Sequence, residues 1–145
     1  MVSSQKKEER SMIARKEKCI VISIKHKYAE KIYSGEKTME LRKCCPSVPP
    51  GTRCFIYEPL PYGRITGFFD YGGCITSVPE NLWNAYSKLM GIEKNEYLNY
   101  FKGCKRATGW LVTNVHKFYR QFFLDEYDLA RAPQSYCFIK RTLGR

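Results

Sequence analysis

Histidine is almost missing from these 145 residues: only His26 and His116 are present, and no two of the seven cysteines form a C-x-x-C pair. A zinc site of ordinary spacing is therefore not expected, and we expect neither a metal nor another cofactor. No apolar run approaches the roughly 20 residues that a membrane-spanning helix needs, so no membrane role is expected. Acidic residues are scarce too. Against 25 Lys and Arg stand 14 Asp and Glu, giving a formal net charge of +11. Such an excess suits a polyanionic partner, nucleic acid first and an acidic membrane surface second, although basic composition also serves plain solubility. The opening residues carry no secretory signal pattern, and the cysteine count is odd. Reduced thiols and an intracellular location, cytoplasmic or nuclear, are the expectation.

What is present is the composition of an ordinary folded protein, 43% hydrophobic and 27% charged. The length is that of one domain. Residues 1–18 hold six basic residues, three glutamates and few apolar ones, and read as a basic flexible arm. Residues 19–145 form the expected domain.

Cys19 to Ile24 is a continuous apolar run rich in β-branched residues, the pattern of a buried strand. From Lys25 to Ser34 the period changes. Tyr28, Ala29, Ile32 and Tyr33 form one helical stripe, and Gly35 stands where a C-terminal helix cap belongs. Prolines 46, 49 and 50 mark a loop, and Arg53–Glu58 reads as a second buried strand. Residues 59–63 form a turn, Arg64–Tyr71 a third strand, and Gly72-Gly73 a bulge before residues 74–76. Ser77 is the expected cap of a helix closed by Gly91, and a second helix runs over 94–101. A strand over 110–115 continues over 117–123 after an irregularity, a short acidic turn or helix occupies 124–130, and a closing strand spans 136–139. Strands and helices do not alternate regularly, so a curved mixed sheet or small barrel decorated by helices fits better than a doubly wound sheet.

The densest chemistry lies in Gly35-Glu36-Lys37-Thr38-Met39-Glu40-Leu41-Arg42. In an extended run Glu36, Thr38, Glu40 and Arg42 share one face, while Met39 and Leu41 share the other with Lys37 at their head. Glu40 and Arg42 then either hold each other as a surface ion pair or present an acceptor and a donor fork to a ligand. Lys25 and His26 fall at a helix start, where backbone N–H groups favour an anion. Tyr57, Tyr62 and Tyr136 offer faces for an unpaired base, and Gln134 and Ser135 offer loop hydrogen bonds. Trp83 and Trp110 fall in apolar patterns and are expected in the core.

The order Tyr28-Ala29-x-x-Ile32-x-x-Gly35-x-Lys37-x-x-Glu40-x-Arg42 resembles the opening of ASCH domains. Further likeness lies in Gly51, Arg53, Ile56-Tyr57-Glu58, Val78-Pro79-Glu80-x-Leu82-Trp83, Tyr97-x-x-Tyr100-Phe101-x-Gly103 and Ala132-Pro133-Gln134-Ser135-Tyr136. The resemblance implies an α+β fold, a PUA-like mixed β-barrel flanked by short helices. It also implies a cleft for RNA, single-stranded or carrying a modified nucleotide, built around Gly-x-Lys-x-x-Glu-x-Arg. The expected nucleic-acid-binding residues are Lys25, His26, Lys37, Glu40, Arg42, Tyr57, Gln134, Ser135 and Tyr136. If the cleft is catalytic, Lys37 and Glu40 carry the chemistry. Two reactions are implied by different family members: hydrolysis of N4-acetylcytidine, or metal-independent RNA cleavage. In the first the family uses a lysine, matching Lys37, a threonine, whose position Glu40 occupies here, and a glutamate that is not carried over to any position of this sequence. A transcription-coregulator module meeting an acidic protein partner is the third alternative.

Overall fold

The computed structural model describes residues 18–127 and 129–140. The arm expected over residues 1–18 lies outside the described residues except for Lys18, which begins the first strand. The elements are β1 (Lys18–Ser23), α1 (His26–Ser34), β2 (Met39–Arg42), β3 (Arg53–Glu58) and β4 (Arg64–Ser77). There follow α2 (Pro79–Met90), α3 (Lys94–Tyr100), β5 (Ala107–Phe122), a 3-10 turn (Leu124–Tyr127) and β6 (Tyr136–Lys140). Six strands form one mixed sheet in the order β2-β5-β4-β3-β1-β6, with β1 and β3 parallel and the other pairs antiparallel. Among the described residues no ladder joins β2 to β6, so the sheet is open between those edges. None of their helices is long and apolar enough to cross a membrane.

The continuous apolar run of β1 has its cause in burial on both faces. Ile20 and Ile22 point into a cluster with Ala29 and Ile32 of α1, Phe69 and Trp110, while Cys19 and Val21 point into a second with Phe55, Phe68 and Phe118. Each buried Ile, Val or Phe among them contributes on the order of 1.5–3 kcal/mol. A third cluster lies beneath α2 and α3, where Met39 and Leu41 meet Leu82, Met90, Tyr97 and Phe101. Helix α1 ends as expected. Gly35 takes φ 87°, and its N–H donates to the Ile32 carbonyl.

The third strand runs on through residues 74–76 as a single 14-residue β4, with the expected bulge at Gly72-Gly73, where the pairing with β5 shifts register. Two expectations change. Ser77 belongs to that strand, and the residue capping α2 is Val78, which has no side chain to bond the helix N–H groups. Cys45 and Cys74, 6.0 Å apart at Cα, form a disulfide, contrary to the expectation of reduced thiols throughout. Folding lays the proline-rich loop after β2 over the bulged part of β4, a contact that a sequence separation of 29 does not announce.

Candidate nucleic-acid cleft

Lys37 is fixed by its backbone before its side chain does anything. Its N–H donates to the Lys31 carbonyl near the end of α1, and the Thr38 N–H donates to the Leu89 carbonyl near the end of α2. Because β2 begins only at Met39, strand alternation does not reach Lys37. Its ammonium leaves the Met39–Leu41 side and lies 3.7 Å from Glu40 Oε1, while donating to the Met90 carbonyl at 2.5 Å. That carbonyl belongs to the C-terminal turn of α2, the negative end of the helix dipole. The Lys37 side chain is 2% exposed, and burial holds its pKa below the ordinary lysine value against the opposing pull of Glu40.

Glu40 and Arg42 share a face of β2, as alternation requires. Glu40 Oε2 accepts from Arg42 Nε at 3.0 Å and Nη2 at 2.8 Å. Nη2 also donates to the Ser23 carbonyl at 2.7 Å, and Nη1 to Ser135 Oγ at 2.8 Å. The guanidinium is thereby committed within the protein. Arg42 ties the edge strand β2 to the end of β1 and to the residue preceding β6, spanning the opening of the sheet with a side chain. Its fork, which the sequence offers to a ligand, is turned here on Glu40, Ser23 and Ser135 at the edge of the sheet. Glu40 Oε1 keeps acceptor capacity beyond Lys37.

Above this pair lies a cavity of about 610 Å³. Of the expected residues Lys25, Lys37, Glu40, Arg42, Gln134 and Ser135 line it. Tyr57 does not: it is 5% exposed and packs in the second cluster with Phe55 and Phe68. Tyr136 packs edge-on against Trp110 at 5.3 Å. His26 lies just outside, its Nδ1 2.5 Å from Glu58 and its Nε2 against Glu30. The aromatic walls are Tyr28 and Tyr100, with Glu96 and Asn99 beside them. The sequence reading missed these because Tyr28 falls in the apolar stripe of α1, and because nothing local reveals that α3 folds over β2. The Tyr28 hydroxyl donates to Glu96, which also receives Lys27 at 2.8 Å, joining α1 to α3. Burial first and Glu96 second raise the Tyr28 pKa, so its hydroxyl stays neutral. The Lys37 ammonium lies 5.2 Å from the centre of the Tyr28 ring.

The cavity thus combines a desolvated cation, a carboxylate with a spare oxygen, a mobile-length lysine at the rim and two tyrosines. It suits a planar group bearing an anion. A carboxylate and an ammonium side by side can also move a proton while neutralising charge on a neighbouring oxygen.

No protein-family model matches the chain. It is 30% identical over 125 residues to an ASCH domain-containing ribonuclease of Zymomonas mobilis, covering 83% of this chain and 84% of that protein. A stretch of 122 residues is 26% identical to the ATP synthase subunit alpha of Ureaplasma parvum, of which it spans only 15%. The crystal structure of ASCH from Zymomonas mobilis matches this fold with a TM-score of 0.76 at 27% identity, covering 83% of this chain and 86% of that one.

Proposed function

The chain belongs to the ASCH domain family, and on that premise we propose that its cavity binds RNA, taking one unpaired nucleotide between Tyr28 and Tyr100. The observation that carries this reading is the buried Lys37–Glu40 pair, which places a cation and an open acceptor on the floor of a cavity large enough for a nucleotide. Lys37 and the exposed Lys25 receive phosphate or base oxygens. Glu40 Oε1 accepts from a base amino group or a ribose hydroxyl, and Gln134 contacts a base edge from the rim. Arg42 acts through Glu40 and Ser135. The open sheet, spanned at its gap by Arg42, works as the PUA-like barrel of this reading. An RNA ligand agrees with an intracellular protein, cytoplasmic or nuclear, where the Cys45–Cys74 bridge faces a reducing thiol pool.

Fluorescence anisotropy with a labelled single-stranded RNA at two salt concentrations tests the proposal. Binding that weakens as salt rises is expected, with log affinity falling by about 0.7 per phosphate neutralised for each tenfold increase in salt. Undetectable or salt-independent binding overturns it.

A second reading, cleavage of the bound RNA, is favoured by the depressed pKa of Lys37 beside Glu40 and by the ribonuclease named among the relatives. In that reaction Glu40 takes the proton of a 2′-hydroxyl, the 2′ oxygen bonds to phosphorus, and the bond from phosphorus to the 5′ oxygen breaks. Lys37 neutralises the phosphoryl oxygens and gives a proton to the departing 5′ oxygen. The products are a 2′,3′-cyclic phosphate and a 5′-hydroxyl. Incubation with chelator present should yield those ends from the parent and none from Glu40→Gln. Equal cleavage by both excludes this role for Glu40.

A further inference from the structure

The turn between β3 and β4 carries a feature that the cavity does not use. Tyr62 is 47% exposed, a large aromatic ring left in water at the tip of a short turn. It lies flat on His26, ring centres 3.9 Å apart and planes 14° from parallel. His26 is held from both nitrogens, Nδ1 by the buried Glu58 at 2.5 Å and Nε2 by Glu30 one helical turn along α1. The two rings therefore form a braced slab.

This slab adjoins the cavity by two routes. His26 directly follows Lys25, which lines the cavity, and the Tyr62 N–H donates to the carbonyl of Pro59, which lines it too. Arg64 supplies a cation alongside: its Nη1 donates to the Tyr62 carbonyl at 3.3 Å, and its guanidinium rests on the Phe123 ring at 3.9 Å. The charge arrangement selects what can sit on the slab. The exposed face of the slab is the Tyr62 ring, which suits the flat face of an uncharged base and offers no cation to a phosphate. Phosphate belongs on either side, at Lys25 and Arg64.

We infer that Tyr62, backed by His26, is a stacking subsite for the nucleotide adjoining the one held in the cavity, so that the ligand is an oligonucleotide rather than a free nucleotide. This rests on the RNA reading above and extends it to a second base. Base–aromatic stacking is sequence-tolerant, so the subsite adds affinity and sets length preference without reading a particular base.

The test compares a nucleoside monophosphate with a 2′-O-methyl trinucleotide carrying 2-aminopurine next to the central residue, on the parent, Tyr62→Leu and Tyr62→Phe. Stacking quenches 2-aminopurine fluorescence in the parent and in Tyr62→Phe. Tyr62→Leu should lose that quenching and roughly tenfold in trinucleotide affinity, while binding the monophosphate as the parent does. Unchanged trinucleotide affinity and quenching in Tyr62→Leu overturn the subsite. An equal loss for both ligands overturns it as well, since the ring then serves only the fold. A parent that binds neither ligand fails the RNA reading itself.

Discussion

Lys37 and Arg42 are both buried cations, yet their surroundings give them different work. Lys37 spends one donor on the Met90 carbonyl and faces Glu40 at 3.7 Å, which leaves capacity toward the cavity. Arg42 spends its donors on Glu40, Ser23 and Ser135. Arg42→Ala is expected to cost about 3–5 kcal/mol of stability in urea unfolding, because buried Glu40 loses its partner and the bonds to the Ser23 carbonyl and the Ser135 hydroxyl go with it. Arg42→Lys should recover only part of that loss, since an ammonium cannot span three acceptors in the guanidinium plane. Lys37 carries a pH signature. Burial lowers its pKa, so its proton leaves at a lower pH than that of an exposed lysine. The affinity for a 2′-O-methyl RNA should accordingly begin to fall below the ordinary lysine range as pH rises, and Lys37→Arg should abolish that fall, because an arginine stays charged.

At the scale of the elements, the cleft depends on where α2 stops. Gly91 caps that helix at φ 57°, and a Cβ there would stand 2.9 Å from Lys37 Cβ. Gly91→Ala is expected to cost about 1–2 kcal/mol in unfolding from the left-handed backbone alone and to weaken RNA binding by displacing Lys37. The disulfide acts on the other side of the same motif. It ties the loop that leaves β2 to β4, and Cys45→Ser should cost about 2–4 kcal/mol in unfolding under oxidising conditions. Local elements were largely legible in the sequence: α1 with its Gly35 cap, β3 to the residue, and the alternation that puts Glu40 and Arg42 together. The rest was set by contacts between distant segments. Tyr57 looks available to a base until its ring is seen packed in the core with Phe55 and Phe68. Tyr28 looks like a core residue until α3 is placed against α1. The bonds that Arg42 makes to Ser23 and Ser135 join positions too far apart in the chain for any local pattern to show.

For the molecule as a whole, a formal charge of +11 draws a polyanion toward the surface, which suits the RNA reading, but charge alone does not make a site. The cavity comes from an open mixed sheet whose edge strand β2 is fastened to β1 by an arginine, and from α1 and α3, whose Tyr28 and Tyr100 line it. Bulk charge and cavity are separable in experiment. Long-range attraction fades with salt, whereas the short contacts of a buried lysine persist. The most direct test of the account is therefore the affinity of the parent and of Lys37→Met for one single-stranded 2′-O-methyl RNA at moderate salt, with unfolding curves confirming that both are folded. The methionine keeps the apolar stem and removes the charge. Loss of a charge-assisted hydrogen bond is worth about 1.5–3 kcal/mol, so binding should weaken roughly 10- to 100-fold. Equal affinity in the two proteins would contradict the claim that RNA is held by this cleft.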